Sequence, residues 1–215
     1  MMERLPEYDC HCHILPGLDD GSSSMEESRE LCRWLVRRGY GAAVCTSHST
    51  FLYRNTPETV RTAAERLREE LDRAGIPLDL IPSMEYRLIP ETWPEQRRYG
   101  LLPWKGNHIL VELPLKKREQ MRGLDMLEEI RSLIRDGYSP VLAHPERYAW
   151  ATEDDYKALR DTGVAFQRNL GSLEGAYGQE AAARARHILR EGWYSFLGTD
   201  LHNLNYCRLF DQILD

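Results

Sequence analysis

Short apolar runs alternate along this chain with longer amphipathic stretches, most of them closed by a glycine, and that rhythm restricts the fold to βα units repeated around a mostly parallel sheet. The spacing predicts strands at about 8–13, 41–46, 78–84, 108–113, 140–143, 164–169 and 195–198. Ser24, with Glu27 three residues on, reads as a capping box opening a helix that buries Leu31, Trp34 and Leu35 and stops at Gly39. Thr56-Pro57 reads as the N-cap and first position of a second helix, with Val60, Ala63, Ala64, Leu67 and Leu71 inward before Gly75. Further helices are expected near 122–136, 153–162 and 178–191, while Pro90, Pro94 and Pro103 leave the stretch before the fourth strand without a clear one. Right-handed crossovers allow such a sheet to stay open or to close into a barrel, and the pattern alone does not choose. With no repeat, low-complexity tract or long linker, a single domain over 1–215 is the economical expectation.

Charge narrows the partners. Asp and Glu number 34 against 28 Lys and Arg, so the mean field repels nucleic acid and anionic lipid, and an anionic substrate needs a local positive centre. No apolar run is long enough to span a bilayer, and Met1 to Asp9 lacks the apolar core of a leader; a cytoplasmic protein without direct membrane insertion is expected. Five cysteines without a Cys-x-x-Cys pair are expected to be reduced and mostly buried. Cys32 and Arg38 have the spacing of a cysteine phosphatase, but they fall in the first amphipathic helix, which lacks a loop to cradle phosphate.

Metal-ligating residue types collect at the carboxyl ends of the predicted strands, the edge where α/β folds build their sites. His11 and His13 end the first strand, Asp20 lies in the loop that follows, His48 follows the second, Glu85 the third, Glu112 ends the fourth, His144 the fifth, and Asp200 with His202 follow the seventh. In Asp9-Cys10-His11-Cys12-His13 the strand period puts both imidazoles on one face and both cysteines on the other, so the thiols are expected to pack rather than to ligate, with a Cys/His zinc cluster as the rival. His108 and His187 fall on the wrong side of this scheme and are assigned to structure. These nine donors of mixed N and O type are too many for one ion and imply two or three. Three divalent ions would outweigh the four carboxylates, supplying the positive centre a phosphate needs. Manganese, iron and zinc all suit such a set. Arg147 and Arg208 could clamp phosphate oxygens, the alternative for Arg147 being a surface pair with a carboxylate such as Glu146.

In their order these residues resemble the PHP (polymerase and histidinol phosphatase) metal-dependent phosphoesterases, particularly the bacterial capsular-polysaccharide branch of protein-tyrosine phosphatases. The resemblance rests on His11-Cys12-His13, Asp19-Asp20-Gly21 and the helix start after it, Thr46-Ser47-His48, the Glu85 segment, Val111-Glu112, Ala143-His144-Pro145-Glu146-Arg147-Tyr148 and Thr199-Asp200-Leu201-His202-Asn203. It covers most of the chain. It implies a distorted seven-stranded (β/α)7, TIM-like barrel of the PHP type with three manganese ions at its rim. His11, His13, Glu85 and Asp200 would hold the first, Glu85, Glu112 and His144 the second, and Asp20, His48 and His202 the third. A metal-activated hydroxide would attack phosphorus in line, with Arg147, Asp200, His202 and Arg208 as catalytic residues. The implied substrate is phosphotyrosine on a membrane-associated bacterial tyrosine kinase that regulates capsule or exopolysaccharide synthesis; a homo-oligomer is compatible. The same ligands would also suit a phosphatase of a small phosphate monoester resembling histidinol phosphate, or a non-catalytic metal-binding scaffold. Openness of the mouth around Tyr53, Tyr86, Arg87 and Tyr148 would separate protein from small-molecule substrates.

Overall fold

Seven parallel strands lie side by side in the order of the chain: β1 (Tyr8–Cys12), β2 (Ala42–Ser49), β3 (Asp79–Arg87), β4 (His108–Glu112), β5 (Ser139–Ala143), β6 (Ala165–Asn169) and β7 (Tyr194–Gly198). The structure is a computed structural model describing residues 7–116 and 118–214; residues 1–6, part of the stretch read for a leader, lie outside it. Helices α1 (Met25–Arg37), α2 (Pro57–Ala74), α3 (Trp93–Tyr99), α4 (Met126–Arg135), α5 (Glu153–Arg160) and α6 (Gln179–Arg190) connect successive strands, and α7 (Leu204–Leu214) follows the last. No helix among the described residues is long and apolar enough to cross a membrane.

The choice left open by the sequence is settled at the seam between β1 and β7. No continuous ladder joins them, yet Cys12 and Leu201 form a parallel bridge, His13 N donates to Leu201 O at 2.9 Å, and Asp200 N donates to His11 O at 2.7 Å. The buried Asp9 carboxylate accepts from both the backbone N–H of Thr199 at 2.9 Å and its hydroxyl at 2.6 Å. The sheet is therefore a nearly closed barrel, and residues from the two ends of the chain become neighbours.

Strand alternation divides the core. Outward-facing Cys12, Ala43, Cys45, Ile109, Val111, Leu142 and Phe166 pack against helix residues such as Leu31, Leu35, Val60, Leu67, Ile130, Leu159 and Ile188. Each buried Leu, Ile or Phe contributes roughly 1.5–3 kcal/mol. Inside the barrel a smaller cluster of Val44, Trp104, Leu110, Val141 and Ala143 fills one end. One step further along the inward faces, the residues become polar.

Several local details differ from the sequence expectation. β2 and β3 continue past 46 and 84 because their pairing runs unbroken from Ala42 opposite Asp79 to Ser49 opposite Tyr86. His48 and Glu85 consequently sit within the strands, directly opposite each other. α4 starts at Met126, where Asp125 caps the N–H groups of Leu127 and Glu128, after Gly123 has taken a left-handed φ of 92°. α3 forms despite the prolines since Pro94 occupies its first turn, where no N–H donor is needed. Ser24 caps Glu27 N as expected, but the Glu27 carboxylate returns to the backbone and hydroxyl of Ser23, and its other oxygen accepts from Leu204 N at the start of α7. One side chain thus ties the starts of two helices together.

Candidate metal centre

All nine expected donors meet at the carboxyl-end rim of the barrel. Within each of four groups the donor atoms lie within 4.8 Å of one another: His11, His13 and Glu85; His11, His144 and Asp200; His48, Glu85 and Glu112; and His13, Asp20, His48 and His202. Glu85 is the hub. Its Oε2 lies 3.3 Å from Nε2 of both His11 and His13, and its Oε1 lies 3.3 Å from Nε2 of His144. His13 reaches the group of Asp20, His48 and His202 as well as that of His11 and Glu85, so it stands between two of the three implied sites.

The chemistry of this donor set fits divalent cations. His11 Nδ1 donates to Gln167 Oε1 at 2.9 Å, and His13 Nδ1 donates to Asp19 Oδ2 at 2.9 Å. In neutral imidazoles held this way both Nε2 lone pairs face the cluster, where they lie 3.1 Å apart. Two lone pairs that close are repulsive unless a cation lies between them. Glu85 Oε1 is buried without a hydrogen bond, and His48 Nδ1 faces Glu85 Oε2 at 3.1 Å without hydrogen-bond geometry. Burial alone would raise Glu85 and Asp200, yet positive charge on the facing imidazoles, when protonated, holds both carboxyls well below their usual range, a charge that bound cations would supply in place of those protons. Asp20 is the one exposed donor, with 53% of its side chain accessible.

Backbone geometry adds to the same account. His144 and Asp200 adopt left-handed φ values of 32° and 54°, conformations that cost about 1–3 kcal/mol for a residue with a side chain. Gly198 is required for a different reason, because a Cβ there would meet the Cβ of His11 at 2.6 Å.

Arg147 lies at the centre: its Nη1 donates to Asp200 Oδ2 at 2.6 Å, and its guanidinium stacks 4.8 Å from the Tyr177 ring. The surface pair with Glu146 does not form. Glu146 is fully buried and accepts from Asn169 N, the Ser172 hydroxyl and the Tyr194 hydroxyl. Arg208 is exposed on α7 and donates to Asn205 Oδ1 at 3.2 Å; among the described residues no hydrogen bond or ion pair joins it to the cluster. Tyr86 and Tyr148, expected at the mouth, are core residues at 1% and 0% exposure, because their hydroxyls bond the backbone of Leu102, and of Ala143 and Leu113. Arg87 is at the centre, donating to Glu112 Oε2 at 2.6 Å. Cys10 and Cys12 are buried and donate to Leu197 O and Val44 O, away from the donors, so the Cys/His alternative does not form. His108 and His187 bond Lys105 O and Glu153 as structural residues.

Three supporting residues were not singled out from sequence. Gln167 fixes His11 and also accepts from His144 N at 3.2 Å. Asn169 donates to Asp200 Oδ2 at 2.6 Å, which together with Arg147 leaves Asp200 Oδ1 to face the imidazoles. Asp19 accepts from both His13 Nδ1 and His48 N. The inward parity of β6 could have found the first two. Replacing Gln167 with Met should weaken metal binding about 10–100-fold, measured by calorimetric titration, with the far-ultraviolet circular dichroism unchanged.

Residues 7–208 match the family described as capsular polysaccharide synthesis, CpsB/CapC. The chain is 33% identical over 204 residues to the tyrosine-protein phosphatase YwqE of Bacillus subtilis (strain 168), covering 91% of this chain and 77% of that protein. It is 28% identical over 218 residues to the tyrosine-protein phosphatase CpsB of Streptococcus pneumoniae, covering 92% and 83%. A solved structure from the work on YwqE and CpsB, described there as unique metal-dependent tyrosine phosphatases, matches with a TM-score of 0.80 at 30% identity, over 96% of this chain and 84% of that one. A histidinol phosphate phosphatase from Lactococcus lactis shares the fold, with a TM-score of 0.59 at 12% identity over 98% and 93%.

Proposed function

This chain belongs to the CpsB/CapC family of capsular polysaccharide synthesis, and on that premise we propose that it is a metal-dependent protein-tyrosine phosphatase, manganese-loaded and acting in the cytoplasm on a membrane-associated tyrosine kinase that regulates polysaccharide export. One observation carries the assignment: nine N and O donors from distant parts of the chain converge on one rim, in a family whose named relatives are tyrosine-protein phosphatases.

His11, His13, Glu85 and Asp200 are assigned to one ion, Glu85, Glu112 and His144 to a second, and Asp20, His48 and His202 to a third. Bound there, divalent ions would acidify water toward neutral pH and offset charge on the phosphate. The protein's own part is orientation. Gln167 and Asp19 hold the imidazoles in the tautomer that turns Nε2 inward, and Asn169 turns one Asp200 oxygen away from the centre. Arg147 uses one of its five N–H donors on Asp200, and the fork of those that remain matches phosphate oxygens. No thiol is needed, since Cys32 is buried on α1 and burial pushes its thiol up, away from the reactive thiolate.

Chelation tests this directly. Metal-stripped protein should hydrolyse a phosphotyrosyl peptide at least about 100-fold more slowly, and manganese should restore the rate. Full activity in protein shown by elemental analysis to be metal-free would refute the assignment.

A further inference from the structure

Two guanidiniums among the described residues are ion-paired to the donor cluster, and they hold different carboxylates: Arg147 reaches Asp200, and Arg87 reaches Glu112. Strand period accounts for the second. Arg87 lies two residues beyond Glu85 on β3, so both side chains project from the inner face, Arg87 one step nearer the mouth. In the ladder it stands directly opposite Glu112 of β4. Its Nε donates to Glu112 Oε2 at 2.6 Å, while Glu112 Oε1 faces His144 Nε2 at 3.8 Å. The carboxylate is therefore shared between a guanidinium and an imidazole, and does not close on the arginine as a bidentate fork. His144 also connects the two pairs, since one of its ring nitrogens lies within 4.8 Å of a carboxylate oxygen of Asp200.

The outer part of Arg87 is left unused. Neither Nη1 nor Nη2 has a hydrogen-bond partner among the described residues, neither is shut away from solvent, and 33% of the side chain is accessible. Four of its five N–H donors are thus open to a ligand beside a centre suited to cations. The sequence pointed to two arginines as a phosphate clamp, but Arg208 of that pair faces solvent on α7. We propose that Arg87 is the second phosphate-binding arginine of this site, its Nη donors and the donors Arg147 keeps open bonding oxygens of the same phosphoryl group. Glu112, by holding Nε, fixes the plane of the guanidinium and lowers the cost of ordering it when the anion arrives. A role confined to holding Glu112 needs Nε alone and has no use for the open Nη pair. The inference rests on the phosphatase assignment and deepens it, naming what recognises the phosphoryl group whatever chain or small molecule carries it.

Arg87→Gln and Arg87→Lys test this on manganese-loaded protein, by calorimetric titration with inorganic phosphate and by kinetics with p-nitrophenyl phosphate and a phosphotyrosyl peptide. Elemental analysis gives the manganese per chain in each sample. The glutamine variant should bind phosphate about 10–100-fold more weakly, and kcat/KM should fall by a similar factor for both substrates, because both present the same phosphoryl group. Lysine keeps the charge but not the fork, and should recover part of the affinity. At saturating manganese the metal content and the far-ultraviolet circular dichroism should match the wild type. Unchanged phosphate affinity in the glutamine variant overturns the proposal. So does a loss of affinity that comes only with lost manganese, which would make Arg87 a support for Glu112 alone. A fall confined to the peptide overturns it as well, since Arg87 would then meet the polypeptide and not the phosphate. Wild-type protein that binds phosphate but hydrolyses neither ester refutes the phosphatase assignment, and the phosphate titrations still decide for or against Arg87.

Discussion

Replacing Glu85 with Gln should strip the rim of metal and lower phosphotyrosine hydrolysis by on the order of a thousandfold or more. Glu85 is fully buried and faces His11, His13, His48 and His144, so among the described residues no other carboxylate reaches as many of the donors. The amide keeps the volume of the side chain but gives up its charge, and it turns one acceptor into a donor in the middle of converging lone pairs. Metal content by elemental analysis should fall along with kcat. A variant that keeps both its metal and its rate would show that Glu85 is only a structural carboxylate among histidines.

Asp9→Ala should have the largest effect on stability. The carboxylate accepts from Thr199 N, from the Thr199 hydroxyl and from His11 N at 3.2 Å, all in the buried seam where β1 meets the end of β7. Alanine leaves those donors unpaired, at roughly 1–3 kcal/mol for each group that cannot find water, so a total near 3–5 kcal/mol is expected. For a chain of this size that corresponds to a fall in Tm of roughly 10 °C, read by thermal circular dichroism. Metal affinity should weaken too, since the same seam places His11 beside Asp200. A Tm shift of under about 2 °C would mean that the backbone bridges alone hold the barrel closed.

The sequence made the converging donors legible because strand periodicity and strand ends are local properties. His11 and His13 share a face whatever the rest of the chain does, and Glu112, His144 and Asp200 sit where short apolar runs stop. Properties depending on partners far along the chain were hidden. β2 and β3 are longer than their apolar runs because each extends the other through pairing. Asp19 and Asp20 are equivalent in the sequence, and only the fold makes one a buried support for His13 and the other an exposed donor. Tyr86 and Tyr148 follow strand ends that carry candidate donors and so read as mouth residues, yet their hydroxyls find backbone partners in the core. Arg208 lies near His202 along the chain but faces solvent on α7, a helix the sequence pattern did not mark. Closure of the barrel depends on Asp9 reaching Thr199, a contact between the two ends of the chain that no local pattern announces.

Anomalous diffraction from crystals grown with manganese, collected on either side of the manganese absorption edge, shows whether metal occupies the rim. A trinuclear cluster of anomalous peaks is expected at the rim, with Glu85 shared between two of them and His11, His13, Asp20, His48, Glu112, His144, Asp200 and His202 completing their ligands. Crystals containing manganese only at surface carboxylates, with the nine side chains bonded to one another and to water, would contradict it.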